Sequence, residues 1–265
     1  MKKILIVFVL SLVSFCYAEQ FQLKSLLQQA QPGSYLVTQQ GKTASLLHIK
    51  DKNNDFLVLE EATIPLCDFQ RQKLSWKNWF EQGGHGHTLW TISVMNLHTG
   101  CFEQTYSYTH QSWIELSETN SFLATLMNLN FTETPAYERK KVGLPPGYGK
   151  PDHRALWMPR AVIDGHAVHT ICFKAYRTRW PHDQSELSSR IIEIYLPEDL
   201  SECPAFFPYW LEVEGRLGNA KLRVIDSGAE IQSPRTFSPR LTLQTPKHPD
   251  CEHFSTIRDS YINNL

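Results

Sequence analysis

His85 and His87 stand one residue apart in "GGHGHTLW", residues 83–90, among three glycines and ahead of a tryptophan. On a strand, residues i and i+2 point the same way, so this spacing would offer two imidazoles to one metal ion, with zinc the natural candidate. A third ligand is then required. His98, His110, His153, His166 and His169 are available, and spacing singles out none. The competing reading is structural: Gly83 or Gly84 ends a helix, His85 sits at its electronegative C-terminus, and His87 falls on the strand face opposite Trp90.

Three other stretches gather reactive or recognising side chains. "HPDCEH" packs His248, Asp250, Cys251 and His253 into six residues, a cluster able to chelate adventitious zinc, or simply a tail tethered through Cys251. The loop "GLPPGYGKPDHRALWMP" carries Tyr148, Asp152, His153 and Trp157 on backbone too rich in proline and glycine for a regular element. Loops of this kind often bind ligands or partners, and these four are candidates for that role. Adjacent side chains diverge, so Asp152 is badly placed to orient His153 for acid-base work. "KAYRTRWPHD" sets Arg177 and Arg179 on one face of a strand beside Trp180, a mix suited to an anionic sugar, a lipid headgroup or a peptide carboxylate. Solvated charge on an exposed face is the plainer account of the same residues.

What is missing narrows the function. There is no Gly-x-Ser-x-Gly elbow, no His-Glu-x-x-His pair, no P-loop and no dinucleotide fingerprint. With 26 basic and 27 acidic residues, the formal charge is −1, and no global field exists to gather nucleic acid. The 42% hydrophobic and 20% charged content is that of a chain able to build a core.

The N-terminus reads MKKILIVFVLSLVSFCYAEQ: two lysines, an apolar run from Ile4 to about Val13, then small or neutral residues ending at Ala18. This is the three-part pattern of an export signal occupying residues 1–18, and its apolar run is too short for a transmembrane helix, which needs about twenty residues. Cleavage after Ala18 would start the mature chain at Glu19, in the periplasm, the cell envelope or the secreted space. A lipid anchor at Cys16 is the alternative, but Phe15 stands where a lipobox carries a small residue. Cys67, Cys101, Cys172, Cys203 and Cys251 remain, and two disulfides plus one free thiol are expected in an oxidising compartment.

These residues need a scaffold, and the pattern supplies one. Phe21, Leu23, Leu26 and Leu27 fit a short helix ending at Pro32-Gly33. Residues 35–38, 44–49 and 55–60 read as a three-stranded meander. Ser75 is a natural cap for a helix carrying Trp76, Trp79 and Phe80 on one stripe, and Trp90, Ile92 and Val94 then face one way along a strand. Cys101 to Tyr108 returns as its partner, and Ser117 is placed to cap a further helix with Phe122, Leu123, Leu126 and Met127. Asp164-Gly165 is a strong hairpin signal, followed by strands near 166–177, 189–196, 206–214 and 220–226. In "CPAFFPYWLEVEG" the aromatics Phe206, Phe207, Tyr209 and Trp210 read first as core, or as a strand with a ligand on one face.

The fold expected is therefore α+β and β-dominated: antiparallel meanders and hairpins forming a curved sheet or sandwich, with two or three short helices packed on it. Residues 19–231 form one β-rich domain, with a possible subdivision near 135–160, and 232–265 form a proline-containing tail. Curved antiparallel sheets with helices on one side occur in periplasmic lipoprotein carriers, which this element order resembles in architecture alone. The function expected is that of an exported, non-catalytic envelope or secreted protein binding an apolar or lipid ligand or a protein partner, without nucleic acid and without a cofactor. The alternatives are an exported metal-dependent hydrolase using His85 and His87, and a structural or interaction subunit.

Overall fold

The structure is a computed structural model and describes residues 20–215 and 218–236. The expected export signal, Cys16 and the "HPDCEH" cluster lie outside the described residues. Strands β1 (Gln20–Phe21), β2 (Tyr35–Gln40), β3 (Thr43–Lys52) and β4 (Phe56–Pro65) are followed by β5 (Leu89–Asn96), β6 (Phe102–Ser107), β7 (Ser112–Ile114) and β8 (Phe131–Glu133). After the proline loop come β9 (Ala161–Ile163), β10 (His166–Val168), β11 (Phe173–Arg179), β12 (Ile191–Pro197), β13 (Trp210–Val213) and β14 (Ala220–Gly228). Four helices accompany them: α1 (Leu23–Gln29), α2 (Leu66–Gln72), α3 (Trp76–Glu81) and α4 (Ser117–Asn128). With 40% strand and 13% helix the chain is β-dominated, antiparallel throughout, and not closed into a barrel.

Twelve strands make one sheet in the order β1-β8-β11-β12-β13-β14-β2-β3-β4-β5-β6-β7, with β9 and β10 forming a separate hairpin. The two β-rich stretches on either side of the proline loop thus share a sheet, joined centrally where β14 pairs with β2 and again where β8 pairs with β11. The hairpin turns on Asp164 and Gly165, both with positive φ, as a tight turn of the mirror-image type requires.

Alternation along the strands gives the sheet two faces, each covered. Leu36 of β2, Ile49 of β3, Leu57 of β4, Met95 of β5 and Ile194 of β12 bury on the face packed by α1 and α4. Val37, Leu46, Ala62, Ile64 and Trp90 bury on the opposite face, under Trp76, Trp79 and Phe80 of α3. The α3 helix starts as the sequence pattern indicates: Ser75 Oγ accepts from the Asn78 N–H at 3.2 Å. It ends at Gly83 and Gly84, both at positive φ, and a Cβ on Gly84 would meet the Trp90 ring at 2.7 Å. Close approach of backbone to indole, as much as the turn itself, makes glycine necessary there.

Several local expectations need correction. Ser117 is the first residue of α4; Leu116 holds the cap position and supplies no side-chain hydrogen bond. The single strand expected over 166–177 is two, because His169 to Cys172 leave the hairpin before β11 joins the main sheet. The α2 helix has no clear signal in "LCDFQRQ", since none of its residues is fully buried and Phe69 finds its partner outside the helix, stacked on Trp76 at 3.5 Å. Two disulfides do not form: Cys67 on α2, Cys172 before β11 and Cys203 before β13 are free thiols on separate elements, leaving at most one bridge among the five.

Candidate functional site

On the α1/α4 face the sheet does not meet its helices everywhere. A hollow of about 630 Å³ remains between them, within the range of small-molecule sites. The period-two pattern builds its floor. Thr43, Ser45 and Leu47 of β3 and Leu59, Glu61 and Thr63 of β4 all point into it, joined by Thr38 of β2, Met95 of β5 and Leu222 of β14. Leu27 of α1, Leu123 and Met127 of α4, and the loop residues Phe206 and Phe207 form the opposite wall.

The floor is divided by chemistry. Leu47, Leu59, Met95 and Phe102 offer aliphatic, thioether and aromatic surface at one end. Thr38, Thr43, Ser45 and Thr63 offer hydroxyls at the other, beside the Glu61 carboxylate. Ser45 Oγ and Thr63 Oγ1 are hydrogen-bonded at 2.8 Å, and Glu61 Oε1 accepts weakly from Thr63 Oγ1 at 3.4 Å. This polar strip is preorganised within itself. Such a cavity suits a molecule with an apolar body and one polar end, the body displacing water and the end exchanging hydrogen bonds with the strip.

Of the residues singled out by sequence, Phe206 and Phe207 reach the hollow, from a loop and not from a strand; the candidate binding residues lie elsewhere and do not form one site. Tyr148 is fully exposed at the tip of the proline loop. Asp152 accepts from Arg154 Nε and Lys141 Nζ, each at 2.9 Å, and these bonds, led by Arg154, hold its carboxyl well below the usual range. His153 is exposed beside it. Trp157 packs edge-on against Tyr195 and Trp210, with ring centroids at 5.1 and 4.9 Å. Arg177 donates to Glu193 Oε2 at 2.6 Å and pairs with Glu138, so its charge is answered within the chain. Arg179 donates to the Ser189 carbonyl at 2.6 Å. Trp180 is buried, its indole N–H given to Asp183 and its ring stacked on Phe122. Trp157 and Arg177 do share a neighbourhood, through Lys140, which bridges Glu193 and Glu212 and lies over the Trp157 ring. Burial disfavours charge on Glu212, but hydrogen bonds from Lys140 and Asn219 prevail and hold the carboxyl below its ordinary value.

His85 and His87 sit in a turn before β5 begins at Leu89, not on a strand, because Gly84 and Gly86 both coil the chain at positive φ. The same-side geometry expected of a strand pair is therefore not present. The His85 carbonyl accepts from Gln72 and from the Trp79 indole; His87 Nδ1 lies 2.9 Å from the Gly84 carbonyl, and its ring packs edge-on against Trp90 instead of facing away from it. Among the described residues, no group of three His, Cys, Asp or Glu side chains is arranged to hold a metal ion.

The buried polar groups that sequence reasoning missed are on the α3 face. Glu60 of β4 is fully buried, with His48 Nδ1 at 3.1 Å, Ser233 Oγ at 2.9 Å and Lys50 Nζ at 3.4 Å. The first residues of the expected tail lie across this group: the Arg235 carbonyl accepts from Lys50, and its guanidinium lies over Trp90 and Tyr108. Nearby, the Tyr35 hydroxyl donates to Asp164 Oδ1 at 3.0 Å and reaches Asp226 Oδ2 at 3.4 Å. Burial, followed by these two carboxylates, pushes the Tyr35 hydroxyl far above its usual range. Only the period-two alternation hinted at them: His48, Glu60 and Asp226 occupy positions that alternation assigns to a covered face.

Fold and hollow together define an open, β-dominated antiparallel scaffold holding an apolar cavity beneath two helices. The family described as CT021 protein matches residues 45–169. A solved structure of the hypothetical protein CT021 from Chlamydia trachomatis is similar over 84% of this chain and 99% of that one, with a TM-score of 0.61 and 18% identity. At that identity the likeness is one of fold. No curated protein matches the sequence.

Proposed function

We propose that the chain is an exported, non-catalytic envelope or secreted protein that binds an apolar or amphipathic small molecule, such as a lipid acyl chain, in the hollow under α1 and α4. The observation that carries this reading is the division of the cavity floor between the Leu47–Leu59–Met95–Phe102 surface and the Thr38–Ser45–Thr63–Glu61 strip. Export is supported by the basic-apolar-small order of residues 1–18. No helix among the described residues is long and apolar enough to cross a membrane.

The test is a titration of the full-length mature chain with cis-parinaric acid, a fatty acid that fluoresces when bound in an apolar site, with palmitate as competitor. Saturable one-to-one binding is expected, and Leu59→Trp, which fills the cavity from its floor, weakens it at least tenfold while far-UV circular dichroism is unchanged. Absence of saturable binding by the wild type, or equal binding by Leu59→Trp, would sink the proposal. N-terminal sequencing of the protein recovered from the extracytoplasmic fraction is expected to begin at Glu19; recovery solely as the uncleaved chain from the cytoplasm would overturn the export reading.

A further inference from the structure

We propose that the tip of the proline loop, Leu144-Pro145-Pro146-Gly147-Tyr148, is a presented linear motif for a proline-recognition domain of the WW type on a partner protein. This surface is independent of the hollow. Residues 142–153 are all exposed, Leu144 at 91% and Tyr148 at 108% of full accessibility. Large apolar side chains held out this completely cost hydration free energy in the isolated chain and contribute nothing to its packing.

The tip is nevertheless not loosely hung. Its stems are clamped: Lys141 bridges to Leu156, the Val142 N–H donates to the Ala155 carbonyl at 2.9 Å, and Arg154 Nη1 donates to the Gly143 carbonyl at 2.9 Å. Asp152 ties Lys141 and Arg154 together across the neck of the loop. Trp157 then fixes the base onto the sheet through Tyr195 and Trp210. Between these clamps, no backbone hydrogen bond among the described residues involves Leu144, Pro145 or Pro146.

The local chemistry selects the partner. A residue before proline is biased toward extended backbone, and here both Leu144 and Pro145 precede one, so the sequence itself favours the polyproline II form at Pro145-Pro146. That form has three residues per turn, and consecutive prolines present a ridge that fits between paired aromatic rings in the grooves of proline-recognition domains. Tyr148, two residues beyond the second proline and following a glycine that does not crowd it, supplies the ring for an adjoining pocket. An ordering cost already met by the fold leaves more of the contact energy as affinity. A membrane is the less suitable receiver, because Leu144 and Tyr148 together present only a small apolar area.

The experiment titrates the full chain into a purified, fluorescently labelled WW-type domain of the tyrosine-selecting class, following anisotropy. Saturable binding is expected, weakened at least tenfold by Tyr148→Ala and by Pro146→Ala. Tyr137→Ala, which removes an exposed ring outside the motif, leaves binding within twofold of wild type, and circular dichroism verifies that all three variants fold. The proposal fails if the domain does not bind, or if Tyr148→Ala binds as well as wild type. It also fails if the domain does not bind while the chain floats with vesicles of phosphatidylcholine and phosphatidylserine in a manner lost on Tyr148→Ala, which would make the tip a membrane anchor.

Discussion

Glu60 Oε2 lies 3.1 Å from His48 Nδ1 on the neighbouring strand, with both side chains shut away from solvent at 0% and 3% exposure. The carboxylate is also reached by Ser233 and Lys50, so it is the point at which two strands and the segment after β14 are joined. A buried charge held this way stabilises little in itself against an apolar replacement of the whole group. Its partners depend on it heavily.

Glu60→Ala removes the shared acceptor and leaves His48, Lys50 and Ser233 without it in a dry environment. The expected loss is about 3–5 kcal/mol of unfolding free energy, as for other buried ion pairs broken on one side. Glu60→Gln, which still accepts from Ser233, loses less. Urea unfolding of both variants checks the order, and equal losses would contradict it.

Asp226 responds to pH. Burial, aided by the nearby Asp164 carboxylate, raises its pKa in spite of the hydrogen bond from the Gly165 N–H. A carboxyl raised in the folded state holds its proton there when the unfolded chain has already released it, so stability is lost as pH rises through the folded-state value. The ordinary unfolded value is about 3.9, which places the window above about pH 4. Asp226→Asn cannot ionise. Its stability relative to wild type is therefore expected to improve as pH rises from about 4 through the raised pKa, whereas a difference independent of pH would remove this account.

Gly228 sits where β14 passes the Tyr35–Asp164 contact. A Cβ there would lie 2.4 Å from Asp164 Oδ1 and 2.5 Å from Tyr35 Cε1, nearer than side chains approach. Gly228→Ala is expected to cost about 1–3 kcal/mol by overpacking. Gly147→Ala in the proline loop has open space around it and is expected to unfold within about 0.5 kcal/mol of wild type. Thermal melts of the pair separate a local clash from a general intolerance of lost glycine.

Much of the scaffold is legible from local pattern. The meander of β2 to β4, the Ser75 cap, the Gly83-Gly84 stop and the Asp164-Gly165 turn each rest on chemistry within a few residues. The α2 helix is not legible, because Phe69 is stabilised by Trp76 of the next element. The hollow is harder still: Leu59 and Leu47 look like any inward strand residues, and that the layer above them leaves space depends on how α1, α4 and the Phe206-Phe207 loop meet over the sheet. The proline loop is legible as irregular. The sequence could not say that Trp157 and Arg177 would be used up by contacts within the chain while Tyr148 stayed free.

The seam between β14 and β2 has one more consequence. Arg223 Nε and Nη2 both donate to Gln39 Oε1, at 3.0 and 2.8 Å, between residues 184 positions apart, and the seam lies in the middle of the sheet, not at its edge. A ribosome finishes β14 long after β2, so the central pairing must wait for nearly the whole described chain to emerge, and contacts of such long sequence separation form slowly. The β2 to β7 half of the sheet pairs in sequence order and can form as it emerges, but the two halves are welded at their centre only once β14 has been made.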